Sequence, residues 1–265
     1  MSGITFHRRE TAKGHRYYIN GVYVPGVTTV LGCADKSNAL VPWASRTTAD
    51  WLADNISDGE VMTPELREWM RVQARMEAWR QKKEAGKVGS DVHDIIHGYL
   101  RTGDYDLAGT DEPTRNAFAL WLEWWTERGL VPLALELPVC SVQLMVAGTL
   151  DCIAAAPDGT VWLLDWKSGK GIYREALAQT EAYRRMMLES RDLGIEGTND
   201  LPDVDRIGVL RIGKTDDSWE FQEVPRAEWD RHWACFVALS MWVYGWMRDG
   251  KCRFEEFRQK VEVTA

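Results

Sequence analysis

The sequence predicts an α/β fold: a central mixed sheet containing strands within residues 130–167, flanked by helices, with an N-terminal helical elaboration on one side. Three observations predict it. Residues 148–167 hold two runs of β-branched, aromatic and small apolar residues around Pro157-Asp158-Gly159, the pattern of a β-hairpin. From about residue 40 to 128 the apolar residues recur at helical spacing. Strand patterns at 204–212 and 219–224 follow a helical one at about 173–189.

Composition bounds the function. With 265 residues, 45% hydrophobic and 27% charged, the chain is long enough to bury a sizeable core and ordinary for a soluble globular protein. A net charge of −8 excludes a polybasic nucleic-acid binder, so any polyanion must be met by a local patch. The five cysteines, Cys33, Cys140, Cys152, Cys235 and Cys252, form no C-x-x-C pair, which argues against a zinc ribbon and gives no spacing for an iron–sulfur cluster. That odd count, with no signal-peptide pattern, is expected of a reducing cytoplasm. The uncharged run from Ala234 to Met247 is too short for a bilayer and reads as a buried helix. Most of the 14 Trp fall in helical patterns, where core packing explains them, and a few remain available to stack on bases.

Taken in order, residues 5–24 suggest small strands, with Asn20-Gly21 as a hairpin turn between 17–19 and 22–24. His7, Arg8, Arg9, His15 and Arg16 make this end basic, which protects an edge strand from aggregation. Residues 27–31 begin either a helix or a short strand. Helical segments are expected near 42–54, 64–85, 90–100 and 113–128, the second capped by Thr63 with Pro64 at its first position and the last stopped by Gly129. Arg71, Arg75, Arg80, Lys82, Lys83 and Lys87 are offset only by Glu77 and Glu84, the best local candidate for contacting phosphates. Residues 130–139 read as a strand carrying Glu136 among leucines, and about 226–247 as a long helix.

The central hairpin carries the chemistry. A three-residue loop, with Pro157 opening a type I turn and Gly159 in the left-handed position, sets Ala156 opposite Thr160 and Asp151 opposite Asp165. Opposed residues share a face, and Lys167 joins them because strand side chains alternate, while Trp166 points away. Two carboxylates and an ammonium on one face suit a divalent-metal site that hydrolyses a charged ester. On a helix just upstream, Gly89 and His93 are one turn apart, and His97 follows. An H-x-x-x-H zinc hydrolase ranks low, because Asp94 stands where such enzymes carry Glu.

Gly89-x-x-x-His93, Glu136, Gly148-x-x-Asp151, Asp165-Trp166-Lys167 and Gln179-x-x-x-Tyr183 occur in that order. The chain thereby resembles the PD-(D/E)XK nuclease superfamily over about residues 86–190. It looks most similar to the RecB-like clade, which includes CRISPR-associated nucleases and many phage exonucleases. Val24-Pro25-Gly26-Val27-Thr28-Thr29-Val30-Leu31 also resembles the start of phage members.

This resemblance implies a restriction-endonuclease-like fold and a single nuclease domain over 1–265, with an elaboration at 1–85, a core at 86–225 and a C-terminal helix and tail at 226–265. It implies that His93, Asp151, Asp165 and the Trp166 backbone carbonyl hold Mg²⁺ or Mn²⁺, with Glu136 an additional candidate acid. Lys167 would orient or activate the attacking water, and Gln179 and Tyr183 would support the site or position DNA. Oxygen donors suit either ion, and one imidazole shifts the preference towards Mn²⁺. The third acid is Asp rather than the commoner Glu, and no iron–sulfur cluster is expected. The activity so implied is a metal-dependent DNA exonuclease of phage or bacterial recombination or repair, cytoplasmic, with DNA ends as substrate and a recombinase or helicase as the class of partner. The alternatives on the same fold are a structure-specific or single-strand endonuclease and a non-catalytic DNA-binding subunit.

Overall fold

A computed structural model describes residues 4–11, 14–214 and 216–247. Thr215, Cys252 and the rest of the expected C-terminal tail lie outside the described residues. The chain divides into two compact units, one of Met1–Ala34 with Val92–Ala265 and one of Asp35–Asp91. The stretch expected as an elaboration at 1–85 thus contributes to both.

The first unit opens with three short strands, β1 (Phe6–Thr11), β2 (Gly14–Ile19) and β3 (Val22–Val24), in an antiparallel sheet. Asn20 at φ 48° and Gly21 at φ 75° make the expected two-residue turn, since a hairpin of this length needs left-handed backbone at both positions. Residues 27–31, open between two readings in the sequence, form the helix α1 (Val27–Leu31). Just before it, the Pro25 carbonyl accepts from the Ala147 N–H at 3.1 Å, joining this segment to the main sheet.

The second unit holds α2 (Ser37–Asp54) and the first part of α3 (Pro64–Thr102). Thr63 caps α3 as expected, its Oγ1 accepting from the Leu66 N–H at 3.2 Å. The two expected segments at 64–85 and 90–100 are one continuous helix. Glycine in a helix interior costs only about 1 kcal/mol against alanine, and no proline follows Pro64 within α3, so Gly86 and Gly89 weaken the helix without ending it. Within this unit, Met70 and Ala74 are buried, and the Trp51 and Trp69 rings lie 5.9 Å apart.

The first unit resumes in the last turns of α3 and continues with α4 (Glu112–Arg128), β4 (Val131–Ser141), β5 (Val146–Ala155), β6 (Val161–Lys167), α5 (Arg174–Asp192), β7 (Arg206–Ile212) and β8 (Trp219–Glu223). A 3₁₀ turn (Arg226–Glu228), α6 (Trp229–Trp242) and a π-helical turn (Val243–Met247) close the described chain. The five strands lie in the order β4-β5-β6-β7-β8, antiparallel except for β6 beside β7. A parallel step requires the chain to cross back over the sheet, and α5 makes that crossing. The protein is therefore mixed α/β, a mixed five-stranded sheet flanked by helices.

The β5–β6 hairpin has the expected loop. Gly159 sits at φ 86° and its N–H donates to the Ala156 carbonyl at 2.9 Å, and the ladder pairs Ala155 with Val161 through Cys152 with Leu164. Alternation then divides β6: Trp162, Leu164 and Trp166 face α4, and Leu163 and Asp165 face α5. On the α4 side, Trp121, Trp124 and Trp125 surround Trp166 with ring centroids 5.9–6.2 Å away, so these indoles are core, whereas Trp69 and Trp79 on α3 are 51% and 54% exposed. On the α5 side, Ala178, Ala182 and Met186 pack with Ile153, Leu163 and α1.

Continuity of α3 is testable at Gly86, where an added Cβ would meet nothing within 4 Å. Gly86→Ala is expected to stabilise the protein by about 0.5–1 kcal/mol in urea denaturation. Lower stability in the variant would mean that the helix breaks there.

Candidate metal centre

Three neighbouring strands each present one acid at the same level of the sheet. The β4–β5 ladder passes from Leu135↔Cys152 to Leu137↔Leu150, with Glu136 and Asp151 standing between those pairs. The β5–β6 ladder stops at Cys152↔Leu164, one residue short of Asp151 and Asp165. Glu136 adopts φ 47°, a left-handed conformation that costs a non-glycine residue on the order of 1–3 kcal/mol. The register sets Glu136 opposite Asp151, and their carboxylates lie in the same group.

His93, near the end of α3, completes a group. Donor atoms of His93, Glu136 and Asp151 all lie within 4.8 Å of one another. Asp151 is fixed by the Trp166 N–H, which donates to its Oδ2 at 2.8 Å in place of a ladder bond. His93 Nε2 stands 3.1 Å from the Trp166 carbonyl, which can only accept, so Nε2 carries the proton. In the neutral ring the Nδ1 lone pair is then left on the side of Asp151, whose Oδ2 is 3.8 Å away. Two carboxylates and one imidazole are hard and borderline donors of the kind Mg²⁺ and Mn²⁺ accept.

Asp165, expected as a ligand, is the next acid along this row and is engaged differently. Its side chain is fully buried, and its Oδ1 accepts from Gln179 Nε2 at 3.0 Å while its Oδ2 pairs with the Lys167 ammonium. The same Gln179 amide donates to the Tyr183 hydroxyl at 3.3 Å. The Tyr183 ring reaches that position by lying against Gly148, where a Cβ would come 2.5 Å from Tyr183 Cε1 and 3.1 Å from Val27 Cγ2. Gly148 is thus required by close approach, and it links the Val24–Leu31 segment and α5 to the acid row.

The electrostatics follow from burial and crowding. Burial, reinforced by Asp151, pushes the Glu136 carboxyl up to about 7. Burial also raises Asp165, opposed by Lys167 and aided by Asp151. For Lys167, burial works against the charged form, but the Asp165 and Asp151 carboxylates outweigh it and hold the ammonium above its ordinary value.

The structure therefore brings together His93, Glu136, Asp151, Asp165, Trp166, Lys167, Gln179 and Tyr183. The six basic candidates belong to the second unit. There Arg71 pairs with Glu68 at 2.8 Å, Arg80 pairs with Glu77 at 3.0 Å, and Lys83 lies 5.2 Å from the Trp79 ring centroid. Sequence reasoning missed a second set on the N-terminal strands. Tyr17 and Arg8 both reach Thr149, at 2.8 and 3.2 Å, and Arg8 Nη1 lies 3.9 Å from Glu136 Oε2. The only signal was the basic character of residues 7–16, read as edge protection. A scan against protein-family models and a search of curated proteins found no match to this chain.

Glu136 makes the metal-free protein pH-sensitive. Below its ordinary value of 4.5 the carboxyl is protonated in both states; between there and about 7 only the folded protein keeps the proton, so stability falls as pH rises through that window. Glu136→Gln is expected to remove its share of the slope in thermal melts with EDTA, and an unchanged slope would refute the assignment. Gly148→Ala is expected to cost about 1–3 kcal/mol by overpacking against Tyr183. A wild-type urea midpoint in that variant would show that the ring is not held there.

Proposed function

We propose that the protein is a divalent-metal-dependent deoxyribonuclease of the PD-(D/E)XK type, acting from DNA ends as an exonuclease. The observation that carries this reading is the acid row Glu136, Asp151 and Asp165 with His93 at one side and Lys167 paired to Asp165. The motif order in the sequence supports it, as does the mixed sheet with α5 packed behind the row. Among the described residues no helix is long and apolar enough to cross a membrane.

His93, Glu136 and Asp151 would hold Mg²⁺ or Mn²⁺, with Asp165 and the Trp166 carbonyl beside them. The bound ion would supply Lewis-acid polarisation of a phosphate oxygen and a lowered pKa for water. Asp165 fixes the Lys167 ammonium next to the row, where its N–H groups orient a water for attack and stabilise charge building on phosphate. Gln179 keeps the Asp165 carboxylate from turning away, and Tyr183 keeps Gln179 in place. Water oxygen forms a bond to phosphorus, the bond from phosphorus to one sugar oxygen breaks, and the proton that water gives up is balanced by one taken by the leaving alkoxide. The products are a phosphate monoester and an alcohol. Arg71, Arg75, Arg80, Lys82, Lys83 and Lys87 on α3 would contact the DNA backbone.

The test is digestion of end-labelled linear single- and double-stranded DNA beside closed circles, with Mg²⁺, Mn²⁺ or EDTA. Metal-dependent loss of linear DNA that spares circles is expected, and Lys167→Ala is expected to lower the rate by about 10²–10³-fold while Mn²⁺ binding persists. Cutting of circles would replace the exonuclease with an endonuclease. No cleavage under any condition would remove the enzymatic reading.

A further inference from the structure

The acid row is bracketed by two cations that come from different parts of the fold. Lys167 closes the Asp165 end from within the sheet. Arg8 stands at the Glu136 end, carried by β1 of the separate three-stranded sheet, and its side chain is 24% exposed. Its guanidinium is aimed rather than loose: Nη1 donates to Thr149 Oγ1 at 3.2 Å, Thr149 is itself tied to the buried Tyr17 hydroxyl at 2.8 Å, and Nε pairs with Glu10 at 2.8 Å. The distance to Glu136, 3.9 Å, is longer than a hydrogen bond, so this carboxylate does not hold Arg8 by itself.

We infer that Arg8 is a catalytic residue that binds a non-bridging oxygen of the scissile phosphodiester, an inference that rests on the nuclease reading above. The geometry argues for it. Arg8 is set at the Glu136 end of the row by Thr149 and Glu10, as Lys167 is set at the other end by Asp165, and a divalent ion held by the row would offset two of its negative charges. With Glu136 engaged by an ion, Arg8 would keep its place through Thr149 and Glu10 and would meet no competing carboxylate within the row. Further negative charge then develops on the phosphate oxygens during attack, and a guanidinium offers two parallel N–H donors to them. Arg8 thus answers on the β4 side what Lys167 does on the β6 side.

The experiment compares wild type, Arg8→Gln and Arg8→Lys in single-turnover cleavage of a labelled oligonucleotide and, separately, in calorimetric titration with Mn²⁺ alone. For Arg8→Gln, cleavage is expected to fall by about 10²–10³-fold. Mn²⁺ affinity should be unchanged or tighter, because a neighbouring positive charge has been removed. Arg8→Lys should recover part of the rate, and if the Gln variant does not fold, a fall of about 10-fold in the Lys variant with unchanged Mn²⁺ affinity carries the same conclusion. Wild-type cleavage by either variant would overturn the assignment. Loss of Mn²⁺ affinity in parallel with cleavage would also overturn it, leaving Arg8 as a support for Glu136. If wild type binds Mn²⁺ but cleaves nothing, the nuclease reading itself fails and Arg8 loses its role with it.

Discussion

The buried carboxylate of Asp165 is the constraint on which the rest of the centre depends. A fully buried ionised acid is costly unless its oxygens are met, and here one meets the Gln179 amide and the other the Lys167 ammonium. Those partners impose demands of their own. Gln179 must be held by Tyr183, Tyr183 must lie against a residue with no side chain, and Gly148 supplies that surface on β5. A chain of contacts therefore runs from α5 through two strands and back to the acid row, its polar links set by the need to satisfy buried groups and its last link by close packing of the Tyr183 ring on Gly148.

The opposite face of the sheet explains why such a demanding arrangement stays in register. Trp166 is clamped by Trp121, Trp124 and Trp125, so the backbone between Asp165 and Lys167 cannot shift without opening a large aromatic core. That same backbone is the site's scaffold, since its N–H holds Asp151 and its carbonyl holds His93. The apolar face fixes position, and the polar face uses it.

Much of this was legible in the sequence because turn chemistry is local. Pro157-Asp158-Gly159 and Asn20-Gly21 each dictate a loop length, and the loop length dictates which residues oppose one another. From that alone Asp151, Asp165 and Lys167 could be placed together. What escaped was non-local or contrary to local preference. The left-handed backbone at Glu136 has no sequence signature, because glutamate does not favour it. Asp165's engagement with Gln179 depends on how α5 packs, and Arg8's approach to Glu136 depends on how one sheet lies against another. Gly86 and Gly89 misled in the other direction, since propensity suggested a break that the helix absorbs.

The parallel pairing of β6 with β7 has a consequence for the order in which the protein is made. Residues of the centre are drawn from β1, α3, β4, β5, β6 and α5, so a growing chain carries the acids and the lysine well before the helix that secures them. The β5–β6 hairpin closes on local contacts, whereas the crossover must wait for α5 to be complete and for β7 to find its place. Until then Asp165 has no amide partner and no dry face to occupy. A half-synthesised or partly unfolded chain therefore lacks the assembled acid row, and the proposed hydrolysis would wait for the finished fold.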